Sequence, residues 1–295
     1  MGLFKELTLL KRYQSRVESA IEHAVQNMGP KTQLRDACEY ALLSGGKRLR
    51  PVLVLMIVDA LDQGLDAIAA ALSVEFFHTS SLIADDLPCM DNDDERRGRS
   101  SLHKVFDEGI ALLASYTLIA SGYEGIYKNG KLMKQNAQYG HLADAATLAC
   151  LEIATRCAGI FGATNGQFLD LFPPDNKLET IERIIFQKTV TLFQISFVFG
   201  WLFGGGNVSD LPLVEKTAYH LGMAFQIADD LQDAEQDFAR NCPVNIAAVI
   251  GQVQAVNRFN LEMSLFEQGL RNLGLWNNDF EQIVMTLKNK GKGGI

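Results

Sequence analysis

The sequence lacks a disulfide framework. Its five cysteines, Cys38, Cys89, Cys150, Cys157 and Cys242, are odd in number and contain no Cys-x-x-Cys pair, which excludes a disulfide-stapled scaffold and a structural zinc site. It lacks a basic excess: 27 Lys and Arg against 35 Asp and Glu leave a net charge of −8, so no nucleic-acid partner is expected. It lacks alternating apolar-polar runs bounded by turn residues, so strands are not expected. No linker is long or rich in Pro, Gly and Ser, so one domain over residues 1–295 is expected. The start, MGLFKELTLLKRYQ, has no long apolar core and carries Glu6 where a myristoylation signal needs Ser or Thr. A reducing, cytoplasmic location is the expectation. One uncharged run, Thr189–Ser209, approaches bilayer length, but Gln194 and the glycines Gly204 to Gly206 argue against a span. A helix lining an apolar pocket is expected there instead, and no membrane span.

What is present is helical periodicity. Apolar residues recur at three- and four-residue spacing through most of the chain. The pattern predicts helices over 3–28, 34–44, from Pro51 onward, and 65–86. Further helices are predicted over 104–127, 131–147, 148–172, 178–203, 211–237, 243–270 and 276–290. Asn129-Gly130, Pro173-Pro174, Gly204 to Asn207 and Pro243 are the expected breaks. The fold class is therefore all-α, a bundle of about ten or more helices.

Two segments carry most of the chemistry. DDLPCMDNDDE, residues 85–95, holds Asp85, Asp86, Asp91, Asp93, Asp94 and Glu95 with no cation among them. Pro88 disfavours helical geometry at Leu87, so these acids gather at a helix C-terminus, where the dipole already opposes negative charge. Two carboxylates ~4 Å apart repel by about 4 kcal/mol at an effective dielectric of ~20, so a positive partner is required. Hard oxygen donors suit Mg²⁺, which shares its shell with phosphate oxygens. A calcium loop fits poorly, because the alternating ligands, central Gly and final Glu are missing; a solvated acidic loop is the plainer alternative. The second segment, FQIADDLQD at 225–233, repeats Ile-Ala-Asp-Asp-Leu from 83–87. Its spacing puts Gln226, Asp229, Asp230 and Asp233 on adjoining helix faces. Cations accompany them: Arg96-Arg97 after the first cluster, Lys188-Thr189, and GGKRLRP at 45–51, a flexible loop entering a helix whose free N–H groups favour phosphate.

In this order the motifs resemble the trans-isoprenyl diphosphate synthases. The resemblance runs from GGKRLRP at 45–51 through HTSSLIADDLPCMDNDDERRG at 78–98, HKVF at 103–106, NGQFLDL at 165–171 and KT at 188–189 to FQIADDLQD at 225–233. It implies the isoprenoid synthase fold around a central apolar cavity, a homodimer, and Mg²⁺ as cofactor. It implies condensation of isopentenyl diphosphate with an allylic diphosphate (dimethylallyl, geranyl or farnesyl). By resemblance, Asp85, Asp86, Asp91, Asp229, Asp230 and Asp233 hold the metal. Arg96, Lys188, Thr189 and Gln226 bind the allylic diphosphate, and Lys47, Arg50, His78 and Arg97 bind isopentenyl diphosphate. Asp85, Asp86, Asp91, Lys188, Asp229 and Asp230 form the catalytic set, and Gln167 and Asp170 match a motif lining the cavity.

In farnesyl-making relatives an aromatic residue stands five positions before the first Asp. Here that position is Ser80, followed by Ser81, so the floor drops to Phe76 and Phe77, about one turn or ~5.4 Å deeper. A geranylgeranyl (C20) product is expected. The sequence departs from the family at three places. Ala84 stands where many relatives have His, Ser115-Tyr116 replaces Gly-Asp, and AEQDFARNCPVNIAAVIG after Asp233 has no Lys, the next being Lys288. The alternative reading is a catalytically weakened or non-catalytic partner subunit of a prenyl synthase. A terpene cyclase would not usually keep the second aspartate motif or the basic loop.

Overall fold

The computed structural model of the chain describes residues 8–239 and 245–292, with side chains described over 10–232 and 245–289. It is all-α apart from a two-residue hairpin. The helices are α1 (Thr8–Gln26), α2 (Gln33–Leu42), α3 (Leu49–Leu61), α4 (Ile68–Asp85), α5 (Leu102–Phe106), α6 (Glu108–Lys134) and α7 (Ala143–Ala158). They continue as α8 (Ala163–Leu171), α9 (Leu178–Ile185), α10 (Thr191–Phe203), α11 (Leu211–Ala239), α12 (Ile246–Ile250), α13 (Gln252–Asn272) and α14 (Asn278–Lys292). Strands β1 (Glu95–Arg96) and β2 (Arg99–Ser100) pair antiparallel between α4 and α5.

The helices form for the reason periodicity suggests. On α1, Leu10, Tyr13, Val17, Ile21 and Val25 are buried at three- and four-residue spacing, while the other face meets water. By contrast α10 is apolar on every face and every one of its residues is buried. It packs against α3, α4, α7 and α11. The segment Leu178–Phe203 is long and apolar enough to cross a membrane by composition, yet 89% of its apolar window is covered by the rest of the protein. Its apolar surface is spent on the core. Gly140–Leu171 passes the same composition test, but its helix breaks between Ala158 and Ala163.

Several breaks differ from expectation. Asn129-Gly130 does not end a helix; α6 runs through it. Asn129 is fully buried, accepting from Ala70 N at 3.1 Å and donating to Asp66 O at 3.2 Å. It thus caps the start of α4 from the side. Pro51 is not the first residue of α3, which begins at Leu49, but it lies within the first turn, where its missing N–H leaves no bond unmade. The predicted 148–172 helix is two helices, α7 and α8, separated at Gly159–Gly162. The predicted 243–270 helix divides at Gly251, whose φ of 83° no helix tolerates. Pro243 lies outside the described residues.

This packing positions the site. α4 delivers the first acidic cluster at its C-terminus, α11 carries the second, and both pack on α10. Between α9 and α10 the chain makes one wide turn, Phe186–Val190, with π-type hydrogen bonding. Such turns often mark functional positions because they re-aim side chains without breaking the helix.

Candidate active site

The loop after α4 folds back on itself. Asp91 N donates to Asp85 O at 2.9 Å, and Met90 N and Asn92 N both donate to Leu87 O. This returns Asp91 to the neighbourhood of Asp85. Across from them stands Lys188 on the π-type turn, ion-paired with Asp170 of α8. Burial raises the Asp85 carboxyl to about 6; Lys188 opposes that shift and Asp91 adds to it. The Asp91 carboxyl is also raised, chiefly by desolvation, with Lys188 again opposing. For Lys188, burial works against the charge, but Asp170, Asp85 and Asp91 outweigh it and raise its pKa. Asp85, Asp91, Asp170 and Lys188 therefore share one electrostatic site with more acid than base.

Asp86 faces a different partner. It is buried and paired with Arg96 of β1, which also reaches Asp93 at 3.0 Å. Asp94 is taken by Lys104 at 2.7 Å. Thr189 Oγ1 of the π-type turn donates to Gln226 Oε1 of α11 at 2.8 Å, and Gln226 Nε2 donates to Asp230 Oδ1 at 2.8 Å. The second oxygen of Asp230 accepts from Ile246 N at 2.8 Å, and its carbonyl accepts from Asn245 Nδ2. Asp230 thus fastens the start of α12. Asp229 acts on Arg50 through its charge. The Asp233 side chain lies outside the described residues. Among the described residues, no three His, Cys, Asp or Glu side chains converge tightly enough to hold a metal alone.

The cations gather on the neighbouring side. Arg50 of α3 lies over the Phe193 ring at 4.8 Å, with Nη1 3.4 Å from His78 Nε2. Burial lowers the Arg50 pKa to about 10, against the pull of Glu75 and Asp229. Burial, then Arg50 and Arg97, push His78 well below its usual range. Arg97 donates to Gly45 O and crosses Gly46 so closely that a Cβ there would lie 2.7 Å from its Cζ. Lys47 is exposed, and its carbonyl accepts from Gln14 Nε2 at 2.8 Å. Arg50 Nε, His78 Nδ1 and both polar atoms of Gln167 are buried without a protein hydrogen-bond partner. Buried polar groups are almost always paired, through water or a ligand where no protein group serves, and Arg35 Nε, Thr79 Oγ1 and His103 Nε2 share this state.

The residues at the expected chain-length wall pack between α4 and α6. Ser80 Oγ donates to Phe77 O at 2.9 Å, and Ser115 Oγ donates to Ser80 O at 3.0 Å. Ser81 Oγ donates to His78 O. Phe76 and Phe77 are buried, and Phe77 meets Tyr123 edge-on at 5.1 Å. A Cβ at Gly122 would lie 2.7 Å from Phe77 Cζ, so only glycine leaves room for this ring.

Sequence reasoning missed Glu75 and the inward turn of Arg48. Glu75 sits alone in the apolar run AAALSVEFFH, and a lone acid there was the available signal. Lys288, the first lysine after the second motif, is held by Glu267 at 3.1 Å.

An all-α bundle with two aspartate segments and a cationic loop gathered around one apolar helix defines a class, the isoprenoid synthase fold. Comparison with known proteins supplies the family. The model for the family Polyprenyl synthetase matches residues 31–241. Geranylgeranyl pyrophosphate synthase 10, mitochondrial, of Arabidopsis thaliana is 36% identical over 238 residues, covering 78% of this chain and 66% of that protein. The chain therefore spans just under two thirds of this plant relative's length. A trans-prenyltransferase of African swine fever virus is 30% identical, covering 93% of this chain and 83% of that protein. The crystal structure of a geranyltransferase from Legionella pneumophila superposes with a TM-score of 0.81 at 28% identity, covering 96% of this chain and 97% of that one. The chain belongs to the polyprenyl synthetase family.

Proposed function

We propose that this protein is a Mg²⁺-dependent prenyltransferase. It condenses isopentenyl diphosphate with an allylic diphosphate to a short-chain prenyl diphosphate, geranylgeranyl diphosphate being the product. The observation that carries the reading is the set of like-charged clusters lying side by side. Asp85 and Asp91 are acids held above their ordinary pKa, while Arg50 and His78 are bases held below theirs. Each cluster is disfavoured alone, and a diphosphate with its cation relieves both.

Asp85, Asp86, Asp91, Asp229, Asp230 and Asp233 would hold Mg²⁺, Asp86 also pairing with Arg96 and Asp230 also accepting from Gln226. When bound, Mg²⁺ neutralises charge that builds on the departing diphosphate. Lys188, Thr189, Gln226 and Arg96 bind that diphosphate, and Lys47, Arg50, His78 and Arg97 bind isopentenyl diphosphate. The allylic C–O bond breaks, its electron pair leaving with the diphosphate. The double bond of isopentenyl diphosphate attacks the allylic carbon, and the proton then lost goes to the departed diphosphate. No protein base is required. The apolar helices around α10 exclude water that would quench the cation. The relatives' printed names, which include geranylgeranyl pyrophosphate synthase and trans-prenyltransferase, support this reading.

The same reading includes a homodimer and a single synthase domain in a reducing compartment. Leu112, Tyr116 and Ile119 form an exposed apolar stripe on α6, which supports a second copy as its cover. Cys38, Cys150 and Cys157 are buried free thiols, which supports the compartment.

The test is product analysis with Mg²⁺, labelled isopentenyl diphosphate and, separately, dimethylallyl, geranyl and farnesyl diphosphates. A C20 diphosphate, abolished by chelator and by Asp85→Ala, is expected. A C15 end product overturns the chain-length reading alone. Diphosphate binding without elongation overturns the catalytic reading in favour of a partner subunit, the role that the lysine-free stretch after Asp233 favours.

A further inference from the structure

Arg48 lies in a basic loop, where a solvent-facing cation is the ordinary outcome. Instead its side chain is completely buried. Nε donates to Glu18 Oε1 of α1 at 2.7 Å, Nη1 to Glu75 Oε1 of α4 at 2.5 Å, and Nη2 to Leu42 O at the end of α2 at 2.5 Å. One guanidinium therefore joins three helices at the mouth of α3. Its backbone sits at φ 49° and ψ 30°, the left-handed region that a non-glycine residue occupies only when its surroundings hold it there. Lys47 immediately before it is tied to α1 through its carbonyl, and Arg50 two residues later points at His78. Glu75 precedes His78 by one helical turn, is 1% exposed, and acts on both Arg50 and Arg97 through its charge.

A buried ion pair is a poor stability device, since apolar residues of similar volume often serve as well or better. Its use in fixing a register is better attested. We propose that Arg48, locked to Glu75 and Glu18, is a positioning residue: it sets the left-handed turn from which Lys47 and Arg50 reach the diphosphate of isopentenyl diphosphate. Glu75 is the resident counter-anion that keeps this cation group assembled before the substrate arrives. The inference rests on the reading of Lys47, Arg50, His78 and Arg97 as the isopentenyl diphosphate site.

Steady-state kinetics on three variants of the full chain test it, with isopentenyl and geranyl diphosphates varied in turn and melting temperatures measured alongside. Arg48→Met raises KM for isopentenyl diphosphate about tenfold, the equivalent of ~1.4 kcal/mol of binding, with KM for geranyl diphosphate within about threefold of the parent. Arg48→Met/Glu75→Leu removes the stranded carboxylate as well. It recovers the melting temperature to within about 2 °C and keeps the raised KM for isopentenyl diphosphate. Should Arg48→Met fail to fold, this double variant carries the test. Equal movement of both KM values in Arg48→Met, or recovery of KM together with melting temperature in the double variant, overturns the positioning role. Lys47→Ala separates the two readings. An unchanged KM for isopentenyl diphosphate in that variant overturns the assignment of the site itself, whatever Arg48 does.

Discussion

Gly166 of α8 offers a sharp test of how Lys188 is placed. A Cβ built on Gly166 lies 2.7 Å from the carbonyl carbon of Gln187 and 2.8 Å from Lys188 Cα, whereas ordinary contact begins at 3.4 Å. The obstructing atoms are backbone, so no rotamer relieves the clash. Lys188 N lies nearer still, so Gly166→Ala must separate α8 from the π-type turn by at least 3.4 − 2.7 = 0.7 Å. Overpacking of this kind costs about 1–3 kcal/mol, and alanine's better helix propensity returns ~1 kcal/mol, leaving a net loss of about 0–2 kcal/mol. The larger effect is on geometry. The Lys188 ammonium is held by Asp170 of the same helix that is displaced, and misplacement by ~1 Å costs about 100-fold in rate, so kcat is expected to fall about 10- to 100-fold. Thermal unfolding and steady-state kinetics on the purified variant measure the two effects separately. Gly109→Ala is the control, since its Cβ meets only Asp107 Oδ1 at 3.4 Å. A Gly166→Ala enzyme with wild-type kcat and melting temperature would refute the reasoning, because α8 would then not be what fixes Lys188.

Two further expectations concern the wall and a buried acid away from the site. Ser80→Phe places a ring on the buried face of α4 one turn nearer Asp85 than Phe77 and is expected to shift product from C20 toward C15, read by chromatography of the dephosphorylated prenols; an unchanged distribution rejects that wall. Glu262, 2% exposed, accepts from Arg258 Nε at 2.6 Å and sits 2.6 Å from His220 Nδ1. Burial alone would raise its carboxyl, but His220 and Arg258 hold it below its ordinary 4.5. Its ionised form therefore adds stability above that value, and the gain is lost as pH falls through the lower folded pKa. Glu262→Gln costs about 3 kcal/mol at pH 7, and the gap from the parent narrows as pH falls below ~4.5. A gap that does not narrow as pH falls from about 5 to about 2 means charge is not what the residue contributes.

Legibility in the sequence followed the range of the interaction. The helix α1 was readable because amphipathic spacing is a property of neighbouring residues. Asn129-Gly130 misled because its turn preference was overruled by distant partners, Ala70 and Asp66, which satisfy the amide inside a helix. The division of α7 from α8 was hidden in Gly159–Gly162, weak punctuation that matters only once helices crowd. The π-type turn at Lys188 left no mark in a continuous helical pattern.

By itself the sequence determined the all-α class, the two aspartate segments and the cations that accompany them, because composition, periodicity and motif order are carried along the chain. The tertiary structure alone decided what each charge does. It separated Asp85, set against Lys188, from Asp86, clamped by Arg96. It committed Asp230 to the start of α12 and turned Arg48 inward while Arg50 faced His78. Adjacent identical residues diverge in this way because their roles depend on burial and on partners brought in from elsewhere in the chain, and the energy of a charge is set by those surroundings.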